Sequence, residues 1–416
     1  MMEALKNTDP ETYAALREEL ARQKTTIDLI ASENYVSLAV LEALGSVATN
    51  KYSEGYPNKR YYAGNKNIDA IEQLAIERAK KLFQAEHANV QPHSGAPANI
   101  AVYNAILEPG DTILAMHLNY GGHLTHGHAV TTLAKTYNFV RYKVNKNTGE
   151  IDFKELEEKA KKEKPKLILV GYSAYSKDLD YAAFKRIADL VGAYTMADIA
   201  HIAGLIAAGE MKNPFPLFDI VTTTTHKTLR GPRGGIILCK EKLAAQIDKA
   251  VFPGFQGGPH DNGIAAKAVC FKEALEPSFK EYVKQIKNNA TALCKELQKL
   301  GFTICFGGTE NHLLLINLEN KQVSGAEAEK ALEKVGIVLN KNMVPEDKRR
   351  PMDPSGIRMG TPAVTTRGMK EEEMEKIAHF MHEAIVNRED EAKLLELKEQ
   401  VTSLAKQFPI YQDLTY

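Results

Sequence analysis

One lysine, Lys227, stands between a run of threonines and a glycine-rich cationic turn in V-T-T-T-T-H-K-T-L-R-G-P-R-G-G, residues 221–235. The β-branched run favours an extended strand. Glycines 231, 234 and 235 allow a sharp bend and a close approach of backbone to a ligand. Arg230 and Arg233 repel a nearby ammonium, which favours the neutral amine. A neutral amine attacks an aldehyde and forms a Schiff base. A lone T-H-K equally describes a lysine ending a strand at the surface, so the rest of the chain has to decide.

Three other stretches carry chemistry. Asp198, in A-Y-T-M-A-D-I-A-H, ends an apolar strand, where an acid is costly to bury unless it meets a cation. A protonated pyridine nitrogen is such a cation. At about 4 Å and an effective dielectric near 20, the pair gains about 4 kcal/mol before desolvation is subtracted. The alternative is an ordinary helix-capping aspartate. S-G-A-P-A-N, from Ser94 to Asn99, precedes an apolar helix, and the amides of Gly95 and Ala96 with the Ser94 hydroxyl make a phosphate cradle. In H-L-N-Y-G-G-H-L-T-H-G-H, histidines 117, 123, 126 and 128 have no carboxylate or cysteine beside them in sequence. Their spacing matches no common zinc pattern, so no metal is expected.

The elements that position these residues alternate. Residues 112–116, 138–144, 166–171, 194–198, 220–225 and 235–239 read as strands, with helical runs such as 153–162 and 181–191 between them. That rhythm indicates an α/β fold with a mostly parallel sheet, whose ligands bind outside the carboxyl ends of the strands. Amphipathic helices are expected over 10–24 and 68–83, and residues 52–64 read as irregular. A long helical pattern over 264–300 leads into a second region, with strands near 302–305 and 313–318 and a charged helix over 371–408. The expected division is an N-terminal arm with helices (1–80), a large cofactor-binding domain (81–280) and a small α+β C-terminal domain (281–416). There is no G-x-G-x-x-G after a strand and no Walker loop, which argues against nicotinamide and nucleotide chemistry.

With 53 basic and 53 acidic residues the chain is formally neutral, so charge gives no reason to expect a nucleic-acid or membrane partner. The four cysteines, at 239, 270, 294 and 305, include no C-x-x-C pair. A reduced, cytoplasmic setting is expected, with no secretory signal and no apolar run long enough to span a bilayer.

The lysine segment resembles that of serine hydroxymethyltransferase (glycine hydroxymethyltransferase), and the resemblance runs from about Ile27 to about Gly368. It implies a fold-type I enzyme holding pyridoxal 5'-phosphate as an aldimine on Lys227, with Asp198 at the ring nitrogen and His123 stacked on the ring. Ser94, Gly95 and Ala96 would hold the phosphate, and Ser173 the ring hydroxyl. His201 and Thr224 would join the catalytic group. Ser32, Tyr62 and Arg358 would bind the substrate, Arg358 as a bidentate carboxylate clamp. Glu54 would move the proton at the substrate hydroxyl or folate. Tyr61, Leu118, Gly122, Leu124 and Asn342 would, with Glu54, meet the folate. Tyr52 and Gly258 would reach a phosphate across a subunit interface, which implies a homodimer or tetramer with shared sites. The chain departs from the family where Pro97 replaces a frequent glutamine and Tyr120 a frequent histidine. It departs again where His128-Ala129 stands for serine-proline and Ala63-Gly64-Asn65-Lys66 for glycine-glycine-cysteine-glutamate.

The implied reaction is reversible transfer of the serine hydroxymethyl carbon to tetrahydrofolate, giving glycine and 5,10-methylenetetrahydrofolate. A folate-independent aldolase acting on threonine-like amino acids would use the same ring chemistry, and Glu54, Tyr61 and Asn342 argue for folate. An aminotransferase or desulfurase and an RNA-binding protein fit less well.

Overall fold

The alternating apolar runs form one seven-stranded sheet in the computed structural model, which describes residues 3–414. Its strands are β1 (His87–Asn89), β2 (Thr112–Met116), β3 (Asn138–Tyr142), β4 (Leu167–Gly171), β5 (Tyr194–Asp198), β6 (Ile220–Thr224) and β7 (Gly235–Cys239). Their spatial order is β1-β7-β6-β5-β4-β2-β3. The strands β2 to β6 run parallel, while β7 is antiparallel to both β6 and β1. Every residue of β4, β6 and β7 is buried, as expected for strands covered on both faces. Each fully buried Leu, Ile or Val contributes about 1.5–3 kcal/mol.

Threonines in and just after such a strand are tolerated because their hydroxyls are bonded. Thr222 donates to the Asn99 side chain at 2.7 Å, Thr224 to the Ala200 carbonyl at 3.3 Å and Thr225 to the Pro232 carbonyl at 2.6 Å. Flanking helices carry their own start signals: Asp152 caps Phe153–Glu163 and Asp180 caps Tyr181–Val191.

Clustering of contacts divides the chain into a large unit, residues 36–284, and a small unit made of residues up to Tyr35 and from Gln285 onward. The expected N-terminal arm of 1–80 is therefore shared between the two. The large unit contains α1 (Lys66–Phe83), α2 (Gly95–Ile106) and α3 (Asp261–Ala274) besides the sheet. The helix expected over 264–300 is two helices, α3 and Pro277–Lys299, because a proline cannot extend a helix but starts one well. Residues 52–64 contain a two-residue hairpin, Gly55–Tyr56 with Lys59–Arg60. The Arg60 guanidinium straps it to Asp69 and Glu72 on α1.

The small unit is built on an antiparallel sheet in which Leu313–Asn317 and Asn340–Asn342 flank Gly356–Gly360. Ile27–Asp28 pairs in parallel with Ile337–Val338. Its core joins Ile27 and Leu29 to Leu293, Ile316, Ile377 and Leu397. The terminal charged helix is likewise two, Glu371–Val386 and Glu391–Gln407, the second capped by Asp390. Arg367, only 6% exposed, gathers the loose carbonyls of two helix ends: Gln23, Lys24, Thr26, Ala405 and Phe408.

Candidate active site

At the carboxyl end of β5, Asp198 Oδ2 accepts from Asn99 Nδ2 at 2.8 Å and lies 3.1 Å from His126 Nε2. Oδ1 takes the Ala200 amide at 3.0 Å. The backbone here is crowded: Gly171, opposite Asp198 on β4, has φ +138° and no room for a Cβ against the Asp198 carbonyl. Burial alone would push this carboxyl up. The hydrogen bond and charge of His126, the charge of His123 and the Asn99 hydrogen bond hold it well below the usual carboxylate range. Asp198 is thus a buried, permanently ionised acceptor, which is the form a protonated ring nitrogen requires.

Asn99 sits on the first turns of α2 and also donates to Thr125 Oγ1 at 2.9 Å, which is 2.8 Å from His123 Nδ1. One side chain therefore indexes α2, β5, β6 and the histidine turn. The reading of that turn needs a correction: no carboxylate is near it in sequence, yet the fold delivers Asp198 to it. Ligand atoms of His123, His126 and Asp198 lie within 4.8 Å of one another. Beside His123 and His126 is a cavity of about 450 Å³, whose walls include His117, Leu118, His128 and Arg141.

Lys227 follows β6 on the next loop and is buried. Its neighbour Thr228 donates to the His201 carbonyl at 3.0 Å, which ties the loop to the segment after Asp198. Burial, then Arg233 and Lys227, pushes the His226 imidazole down to about 3, so His226 is neutral. The glycines of the turn act differently from the expectation. None of Gly231, Gly234 and Gly235 has a positive φ; the left-handed residue is Arg230, at φ 59°. Its guanidinium lies over the Tyr282 ring, 4.4 Å from the centroid. The glycines are needed for space: a Cβ on Gly235 would lie 2.5 Å from the Ser94 carbonyl, and one on Gly231 2.8 Å from the Thr225 carbonyl.

Ser94 is the N-cap of α2 but makes no side-chain capping bond. The first amides of a helix have no carbonyl partner within it, and Pro97 supplies none. Gly95, whose Cβ would meet Thr224 Cγ2 at 2.7 Å, lets this turn sit directly on the end of β6. An uncapped helix start, space reserved by two glycines, an ionised aspartate and a buried lysine together fit a phosphorylated pyridine aldehyde. Ser173 Oγ donates to the Gly122 carbonyl at 2.8 Å, fixing the loop that carries His123 and Leu124.

Other expected site residues gather elsewhere in the large unit. Tyr52 OH donates to Glu54 Oε1 at 3.3 Å and its ring packs edge-on against Tyr62, centroids 5.1 Å apart. Gly258 leaves space for the Tyr52 ring and Gly257 for Glu54. Tyr61 stands against Phe252 and is 72% exposed. In the small unit, Arg358 lies on the central strand and donates through Nε to Asn340 Oδ1 at 3.0 Å. Burial brings its guanidinium down to about 10, so it stays charged at neutral pH. Gly360, at the end of that strand, takes Leu29 against it and leaves Ala31 within 2.8 Å of where a Cβ would be. Ser32 is thereby set at the same strand end. Asn342 caps its own turn through the Met343 carbonyl at 2.7 Å.

Sequence reasoning missed His126, Asn99 and Thr222 as parts of the site. Asn99 closes the S-G-A-P-A-N motif, and that position was its only signal.

A family model described as "Serine hydroxymethyltransferase" matches residues 5–381 of the 416.

Proposed function

The chain belongs to the serine hydroxymethyltransferase family, and from that premise we propose that Lys227 is the residue on which its cofactor is carried. Members are fold-type I enzymes that interconvert serine and glycine with pyridoxal phosphate and tetrahydrofolate. The observation that carries the assignment is the convergence of Lys227, Asp198 and the uncapped Ser94 turn at the ends of adjoining strands. Bound there, the cofactor supplies an electron sink for negative charge at the amino-acid α-carbon.

The chain's own groups divide the remaining work. Lys227 provides the amine. Asp198 holds a proton on the ring nitrogen, and His126 and Asn99 keep that carboxylate oriented and ionised. His123 forms a ring wall, Ser94 and the amides of Gly95 and Ala96 receive the phosphate, and Ser173 the ring hydroxyl, with His201 and Thr224 beside them. Arg358 clamps the substrate carboxylate, helped by Ser32 and Tyr62. Glu54 moves the proton at the substrate hydroxyl. Tyr61, Leu118, Gly122, Leu124 and Asn342 meet the folate.

Tyr52 and Gly258 are assigned to a second copy's site, as the family resemblance implies; Tyr52 is 55% exposed and lies against Gly258 and the half-buried Glu54. The protein is accordingly a homodimer or a larger assembly of dimers; full activity at the mass of one chain by light scattering would refute this. Among the described residues no helix is long and apolar enough to cross a membrane, and four buried cysteines outside any disulfide suit a reducing compartment such as the cytoplasm.

The deciding experiment is the visible spectrum of the purified protein with pyridoxal phosphate, then glycine, then tetrahydrofolate. A lysine-bound band that responds to glycine, and much more strongly once folate is added, is expected. A response to glycine with none to folate would move the chain to folate-independent aldol chemistry. Lys227→Ala with unchanged turnover and cofactor spectrum would remove the assignment.

A further inference from the structure

We propose that Lys267 is a positioning residue for the cofactor phosphate: its side chain clamps the backbone that sets the Ser94 turn against the start of β7. The inference rests on the cofactor assignment above and concerns a residue with no part in the chemistry itself.

Lys267 projects from the second turn of α3 and is 3% exposed. Its three N–H groups are all used, on the carbonyls of Val90 at 2.7 Å, Pro92 at 2.9 Å and Gly235 at 3.0 Å. Among the described residues it has no carboxylate in an ion pair. A lysine buried for packing alone would cost more than a methionine of the same length. What demands a donor here is the cluster of three converging carbonyls, which Lys267 alone draws together and of which Pro92 has a further donor in the Gly235 amide.

Those carbonyls belong to the two strands of backbone that form the cradle. Pro92 also accepts the Gly235 amide at 3.1 Å. The carbonyl of Ser94 occupies the space where a Gly235 Cβ would be. Gln256 completes the restraint, donating to the Gln91 carbonyl at 3.0 Å and accepting the His93 amide at 3.0 Å. Residues 90–93 are thus bonded at every carbonyl from Val90 to Pro92, with Lys267 on two of the three. The strap leads into Ser94, whose hydroxyl makes no capping bond and whose following amides open the helix, a place for an anion. Gly234 reinforces the assignment, because the Lys267 Cε fills the place its Cβ would need.

The test separates phosphate recognition from general stability by comparing two aldehydes, pyridoxal phosphate and pyridoxal, which differ in the phosphate alone. Their affinities for the full-length wild type, Lys267→Met and Lys267→Gln are measured by the lysine-bound absorbance and by equilibrium dialysis. The variants should lose pyridoxal phosphate affinity by about tenfold to a hundredfold, the scale of one or two lost buried hydrogen bonds, while pyridoxal affinity changes by less than about twofold. A parallel fall for both aldehydes, or no fall for either, overturns the positioning role. Should the Lys267 variants not fold, Gly234→Ala carries the test, since its methyl displaces the Lys267 side chain, and the same selective loss is expected. A wild type that binds neither aldehyde removes the cofactor assignment and this inference with it. A wild type with a phosphate preference that the variants keep removes this inference alone.

Discussion

Asn99 and Asp198 are joined by a 2.8 Å hydrogen bond, and Thr222 holds the other end of the Asn99 amide at 2.7 Å. The aspartate that is to face the ring nitrogen is therefore oriented by a helix and by the neighbouring strand at once. Asn99→Ala should lower kcat by about tenfold or more, since a hydrogen bond to a charged group contributes about 1.5–3 kcal/mol. Thr222→Val, which removes only the outer bond, should cost less. Equal losses in the two variants, in steady-state assays with saturating cofactor, would break this hierarchy.

Gly235→Ala tests the cradle by adding one methyl. Its Cβ would lie 2.5 Å from the Ser94 carbonyl, closer than any real contact, so the turn must shift. Cofactor affinity should fall by at least about tenfold while the far-UV circular dichroism is kept, because overpacking costs about 1–3 kcal/mol. Affinity equal to wild type in a dialysis titration would count against the space argument.

His226 gives the apoenzyme a pH dependence. Burial, with Arg233 and Lys227, lowers its folded value to about 3 from 6.5. Between those values the unfolded chain binds a proton that the folded chain does not, so stability rises with pH across that window and is lost as pH falls. His226→Asn keeps an acceptor for the Gly234 amide but cannot titrate. Its urea-unfolding free energy should vary less than wild type between about pH 4 and about pH 7. Identical slopes would show that other groups govern the window.

Arg367 holds five backbone carbonyls in the small unit. Arg367→Met should destabilise that unit by about 3 kcal/mol or more, since the carbonyls are left buried without donors. Lys cannot reproduce the planar fork and should rescue only in part. Urea titration followed by circular dichroism reads the shift, and a midpoint unchanged from wild type would contradict it.

How much of this was readable in advance follows from the range of the forces involved. The strands at 112–116, 194–198 and 235–239 and the helix at 181–191 are local hydrophobic patterns, and their limits match the structure. The chemistry of Lys227 and Asp198 was visible because strand ends, glycines and charge sit within one short stretch. The breaks at Pro277 and before Asp390 were overrun because the apolar periodicity continues through them, while the cap residues act only at the ends. His126 and Asn99 gain their roles from residues 72 and 99 positions away, and no local pattern encodes such a meeting. The glycine argument failed in a related way: space for the Ser94 carbonyl is a property of two distant segments, while a turn is a property of one.

The pairing of Ile27–Asp28 with Ile337–Val338 also has a consequence in time. During synthesis from the amino end, Ile27 emerges from the ribosome long before its partner strand exists. At about 5–20 residues per second the wait is about 15–60 s. Through that interval the apolar edge at Ile27 and Leu29 has no sheet to join and is open to chaperones or to other nascent chains. The large unit, continuous from residue 36 to 284, can be finished meanwhile. The small unit, which needs both ends of the message, is the last part of the molecule to be born.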